Sequence, residues 1–200
     1  MRAFFAVDIP EELASGIADV QEELHGADGL RFTDPEQAHV TLAFLGDVPA
    51  ETTDGSSTDD STPSAGVDAV TDAGRRAVAE ANTGPFTVSV GGLGVFPSME
   101  YISVVWTGIG EGSTELARLH ETIEERTVAL GYEPDEHEFT PHVTLARMND
   151  ARGKDLVQRV VRNRDPDIGT FTAEQVQLKR SRLTSSGPVY ETVESFPLSA

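Results

Sequence analysis

The chain has 200 residues and a formal charge of −19, from 34 acidic against 15 basic side chains; that is the length of one domain, and the charge disfavours an extended nucleic-acid groove. Leu, Ile, Val and Phe supply 49 residues, above the roughly 20% below which strongly charged chains fail to build a core. No apolar run approaches the ~20 residues of a membrane span, and the lack of cysteine excludes disulfides, thiolate nucleophiles and Cys-based zinc sites.

In chain order, residues 3–9 read as a strand ended by Pro10. Asp8 interrupts this apolar start too early for a signal peptide, which points to a cytoplasmic protein. Pro10-Glu11-Glu12 opens a helix, since proline suits the first turn and acids suit its dipole. Leu13, Ile17, Val20 and Leu24 give its apolar face, and His25-Gly26 closes it. A turn at Asp34-Pro35 leads into a strand over 39–46. Residues 51–66 are Thr, Ser, Asp, Gly and Pro with almost nothing apolar, a flexible acidic loop. Helical spacing resumes over 67–81. Residues 86–96 and 102–106 form a predicted hairpin around Pro97-Ser98.

Leu116, Leu119, Ile123 and Leu130 mark the next helix, and residues 139–147 the next strand. A short helix carries Leu156, Val157, Val160 and Val161, and two strands over 171–183 and 189–196 close the chain. This mixed order predicts an α+β fold, with antiparallel sheets carrying helices on one side.

The basic residues are uneven in kind and in place. Thirteen are Arg and only two are Lys, Lys154 and Lys179. An acidic surface nearly free of lysine fits a cytoplasm of molar salt, where a Debye length of ~3 Å hides much self-repulsion; an ordinary acidic protein is the alternative. From Arg147 to Arg182 the local charge is +4, so a negative body carries one less hostile stretch, suited to a short terminal phosphate.

One motif stands above composition. His39-Val40-Thr41-Leu42-Ala43 recurs letter for letter as His142-Val143-Thr144-Leu145-Ala146, which indicates an internal duplication. On a strand, residues i and i+2 point the same way. His39 and Thr41 therefore share one face, as do His142 and Thr144, while Val40, Leu42, Val143 and Leu145 face the core. Two such strands in one sheet would present two imidazoles and two hydroxyls to a common cleft. Imidazoles near pKa ~6.5 serve as general acid and base at neutral pH, hydroxyls donate to non-bridging oxygens, and Arg147 offers a planar fork for phosphate. Together they describe metal-free phosphoryl transfer.

Two other readings stand beside this one. A histidine on an apolar strand is commonly a satisfied core residue, although the paired threonines weigh against that twice over. A metal site is disfavoured because neither motif contains Asp, Glu or Cys. His25, His120 and His137 lack the motif and read as surface or structural.

The residues that carry these motifs resemble the 2H phosphoesterase superfamily, named for its two His-x-Thr-x motifs. More closely they are similar to its LigT branch, the RNA 2′,3′-cyclic phosphodiesterases also called 2′-5′ RNA ligases. The likeness runs through 2–10, 35–46, 91–97 and 139–147 and ends near Gly187-Pro188-Val189-Tyr190; at 51–66 the chain departs from the more helical, charged linker of relatives. The resemblance implies one domain of two pseudo-symmetric lobes, two antiparallel sheets with helices outside, and a central cleft. It implies His39 as proton donor to the leaving ribose oxygen and His142 as the base that activates water. Thr41, Thr144 and Arg147 would bind phosphate. The implied substrate is an RNA 2′,3′-cyclic phosphate end or a small cyclic nucleotide, opened to a 2′-phosphomonoester with neither metal nor cofactor; nothing in the sequence requires more than a monomer. Ligation of RNA ends, or RNA-end binding without catalysis, are the alternatives.

Overall fold

The computed structural model describes residues 1–52, 65–185 and 187–199. The loop expected at 51–66 therefore lies outside the described residues except at its ends, where Gly66 N–H donates to the Thr52 hydroxyl at 3.1 Å.

Strand β1 (Arg2–Asp8) is a continuous apolar run because residues 3–7 are all buried, on both faces of the sheet. A single 3-10 turn at Glu11–Leu13 then leads into helix α1 (Ala14–Glu22). A short strand β2 (Leu30–Phe32), which the sequence pattern does not announce, precedes a turn at Pro35–Gln37 that Asp34 caps through the Glu36 N–H. Strand β3 (His39–Asp47) carries the first motif, and helix α2 spans Val67–Ala81 as its spacing predicts. The hairpin is β4 (Phe86–Pro97) with β5 (Ile102–Ile109). Helix α3 (Ser113–Val128), strand β6 (His142–Met148) with the second motif, and helix α4 (Lys154–Asn163) follow.

The expected strand over 171–183 is two strands, β7 (Asp167–Ala173) and β8 (Gln175–Thr184), which lie far apart in the sheet. Glu174 is the crossing point, and its carbonyl accepts the Leu198 N–H at 2.8 Å. Strand β9 (Gly187–Pro197) ends the chain. Among the described residues no helix is long and apolar enough to cross a membrane.

All strand pairs are antiparallel, in the order β7-β4-β5-β6-β3-β1-β8-β9, with β2 added to β6. The two expected antiparallel sheets are thus halves of one continuous nine-stranded sheet, four strands on the β3 side and five, counting β2, on the β6 side. They meet between β6 and β3, where Val40 pairs with Val143. Helices cross this seam: α1 packs on β6 and β7 of the second half, and α3 on β3 of the first. The main core gathers Phe5, Val40, Leu42, Leu116, Ile123, Val143, Leu145 and Leu178 around the seam; a smaller one under α4 holds Leu24, Val105 and Val157. Burying one side chain such as Phe5 contributes about 1.5–3 kcal/mol.

Candidate active site

The Val40–Val143 pair fixes the geometry of both motifs. One residue either way along an antiparallel pair, His39 comes opposite Thr144 and Thr41 opposite His142. The four motif side chains predicted to share a face are therefore brought together at the seam, all half-buried, while Val40, Leu42, Val143 and Leu145 point into the core. The outer neighbours complete the floor. Across from His39 and Thr41 lie Asp8 and Ala6 of β1. Across from His142 and Thr144 lie Gly108 and Trp106 of β5.

The two imidazoles are held alike. His39 Nδ1 donates to the Gln37 carbonyl at 2.8 Å, and His142 Nδ1 to the Thr140 carbonyl at 2.7 Å. A carbonyl only accepts, so Nδ1 carries a proton in each ring and Nε2 is the atom left for chemistry. Aromatic rings flank both. Phe4 and Tyr190 each stand 5.0 Å from His39 between centroids, and Phe96 stands 4.9 Å from His142. Gln37 reinforces the first site, accepting the Tyr190 N–H on Oε1 at 2.9 Å. Among the described residues the Thr41 and Thr144 hydroxyls make no protein hydrogen bond, which leaves them free to donate to a ligand.

Burial lowers the pKa of both histidines, by removing water from the charged form. At His39 the hydrogen bond to Gln37 works the other way. Nearby charges then act in both directions: Lys179 and His142 lower the value and Asp8 raises it. At His142 the Thr140 bond raises the pKa and the Arg147 guanidinium lowers it.

Strict alternation would put Arg147 on the face of Val143 and Leu145. A β-bulge prevents this. The β5–β6 register shifts between Val105 and Trp106, so Leu145 and Ala146 both turn inward and Arg147 emerges exposed on the side of His142. The first motif bulges at the same place, with a β1–β3 shift between Phe5 and Ala6, and Phe44 emerges where Arg147 stands in the second half. Bulging frees the leucine carbonyl, and each is taken by a buried side chain of the opposite half's helix. The Leu42 carbonyl accepts His120 Nδ1 of α3 at 2.7 Å, and the Leu145 carbonyl accepts Gln21 Nε2 of α1 at 2.9 Å. His120 is therefore a structural residue, stacked on Phe139 at 4.2 Å. His25 pairs with Glu22 on the surface, and His137 is exposed.

A cavity of about 710 Å³ opens past the motif on β3, between residues 43–47 and α3. Asp47, Glu124, Glu133, Asp135 and Glu136 line it, so its field opposes a phosphate. The seam has the opposite character, with Arg147 and Lys179 beside the histidines. Sequence reasoning missed Lys179, Asp8 and the aromatic flanks as parts of the site. For Lys179 a signal was present in the near absence of lysine from the chain.

A curled antiparallel α+β sheet carrying one His-x-Thr strand on each half defines the 2H phosphoesterase class. The chain belongs to the 2′-5′ RNA ligase superfamily, whose model matches residues 9–183. It is 33% identical to the RNA 2′,3′-cyclic phosphodiesterase of Methanothermobacter thermautotrophicus over 99% of both chains. It is 30% identical to that of Methanocaldococcus jannaschii over 98% of this chain and 100% of the relative. Among solved structures, a Thermus thermophilus protein matches with TM-score 0.75 at 26% identity, covering 99% of this chain and 98% of that one. Escherichia coli LigT in apo form shares the fold with TM-score 0.75 at 22% identity, over 100% and 98% of the chains.

Proposed function

We propose that the protein is a metal-independent RNA 2′,3′-cyclic phosphodiesterase that opens a ribose 2′,3′-cyclic phosphate to the 2′-phosphomonoester. The observation that carries this reading is the pair of imidazoles at the seam, each fixed through Nδ1 to a backbone carbonyl with Nε2 left for proton transfer. Neutral His142 takes a proton from water on Nε2 as the water oxygen bonds to phosphorus. The bond from phosphorus to the ribose 3′ oxygen breaks, and protonated His39 delivers its Nε2 proton to that oxygen. Thr41, Thr144 and Arg147 hold the non-bridging oxygens, whose charge grows in the transition state. Solvent then restores both rings. Each element of the site comes from one chain, so a monomer suffices.

A ribose 5′-hydroxyl in place of water, following the same steps, joins RNA ends by a 2′-5′ bond: its oxygen bonds to phosphorus as the bond to the 3′ oxygen breaks, His142 takes its proton and His39 protonates the 3′ oxygen. The family's name favours keeping that second activity in view, and abundant water makes hydrolysis dominant. A purely binding role would need no acid–base pair.

Incubation with 2′,3′-cyclic AMP in potassium chloride plus chelator, followed by phosphorus NMR, tests the reading. The 2′-phosphomonoester should accumulate, and His39→Ala or His142→Ala should each lose about 10²-fold or more in turnover. Activity abolished by chelator removes the metal-free route, and unchanged turnover in either variant removes the acid–base assignment.

A further inference from the structure

The two halves treat their motifs alike until charge is considered. In the second half a cation, Arg147, rises beside His142 just after the bulge. At the matching place in the first half stands Phe44, 62% exposed and uncharged. The first half draws its cation from another strand. Lys179 of β8 pairs with Phe4 of β1, and the Phe4 ring packs on His39, which puts Lys179 on the same face as the site. Its ammonium reaches along β1 to Asp8 Oδ1 at 2.5 Å. That path runs over Ala6, the residue directly across from Thr41, and ends at Asp8, the residue directly across from His39. In the second half the position equivalent to Ala6 is filled by Trp106.

Lys179 is only 7% exposed. An ammonium has three donors, and among the described residues Asp8 is the one acceptor Lys179 has. With its charge paired to Asp8, the ammonium keeps two donors that can turn to water or to an anionic ligand. The Asp8 carboxylate fixes the side chain at the position across from His39, and the ammonium is close enough to act on the His39 charge.

We propose that Lys179 is an additional substrate-binding residue, whose ammonium, oriented by Asp8, donates to a non-bridging oxygen of the phosphate held between Thr41 and His39. This rests on the phosphodiesterase reading of the same site. Lys179 then does for the leaving-oxygen side what Arg147 does for the water side, and the bound phosphate sits between two cations supplied by opposite halves.

The experiment compares Lys179→Met, Lys179→Arg and Asp8→Asn with the unaltered chain, at one salt concentration. Affinity for inorganic phosphate is read by calorimetry, kcat and KM on 2′,3′-cyclic AMP are measured, and folding is checked by circular dichroism. In a folded Lys179→Met protein, phosphate affinity and kcat/KM should each fall about 30-fold, the scale of a lost charge-assisted hydrogen bond, with partial rescue in Lys179→Arg. A folded Lys179→Met whose values stay within about 3-fold, inside what a surface charge would change, overturns the proposal. Where Lys179→Met does not fold, Asp8→Asn decides: tighter phosphate binding, as the ammonium loses its competing anion, supports the contact, and unchanged affinity overturns it. Phosphate binding separates this proposal from the function itself. An unaltered chain that binds phosphate through Lys179 but turns over no cyclic nucleotide refutes the phosphodiesterase reading alone.

Discussion

Both imidazoles are pushed the same way by burial, yet catalysis asks one to hold a proton while the other is free of it. With both values lowered from 6.5, the bell-shaped profile of kcat/KM, centred between the two, should peak below pH ~6.5. A bound phosphate anion favours the protonated ring, so the profile of kcat should lie to higher pH than that of kcat/KM. Rates on 2′,3′-cyclic AMP across pH 4.5–9 check both, and a kcat/KM optimum above ~7 contradicts the lowered values. Stability follows with a definite sign. Between the folded values and ~6.5 the unfolded chain binds more protons, so stability rises with pH across that window and these rings add no further slope above it. The urea midpoint should therefore drop on acidification below ~6.5, and drop less in a His39→Gln, His142→Gln double variant. At this scale the repeated motif was legible, because a strand's period of two forces His and Thr onto one face. Arg147's face was not, since the bulge that rescues it arises from pairing with β5.

Gly74 shows how an element's packing overrides its propensity. In isolation, replacing a mid-helix glycine with alanine stabilises by up to ~1 kcal/mol. Here a Cβ would come 2.5 Å from Cε1 of the fully buried Phe5 ring and 3.1 Å from Phe196. Overpacking of that kind costs about 1–3 kcal/mol, so Gly74→Ala should destabilise the protein in a urea titration. An equal or higher midpoint would show that the Phe5 ring can move aside. Element positions were largely legible where apolar spacing was regular, as at 67–81. They failed at 171–183, where no proline or glycine marks the crossing. A quieter cue was there: the apolar residues that pack inward switch from odd positions, Phe171 and Ala173, to even ones, Val176 and Leu178. Strand β2 left no cue, because its three residues are held by pairing with β6.

On the scale of the whole molecule the −19 charge acts on stability through self-repulsion, which salt screens as the Debye length falls from ~10 Å at 0.1 M to ~3 Å at 1 M. The melting temperature should rise between 0.1 and 1 M potassium chloride, and one that does not rise would place the repulsion below significance. Specific potassium binding is separated by repeating the titration in sodium chloride. Composition made the charge visible at once. It could not show that cations gather at the seam, because Lys179 reaches it only through the pairing of β8 with β1.

The exchange of helices across the seam has a further consequence. Each bulged leucine carbonyl is satisfied by a side chain that the other half supplies, His120 for Leu42 and Gln21 for Leu145. Each motif strand therefore leans on a helix that belongs to the other half of the sequence, so a change that shifts α1 is felt at the His142 strand and one that shifts α3 at the His39 strand. The two motifs are tied to each other through the helices as well as through the seam, and they differ in charge only where Phe44 stands against Arg147.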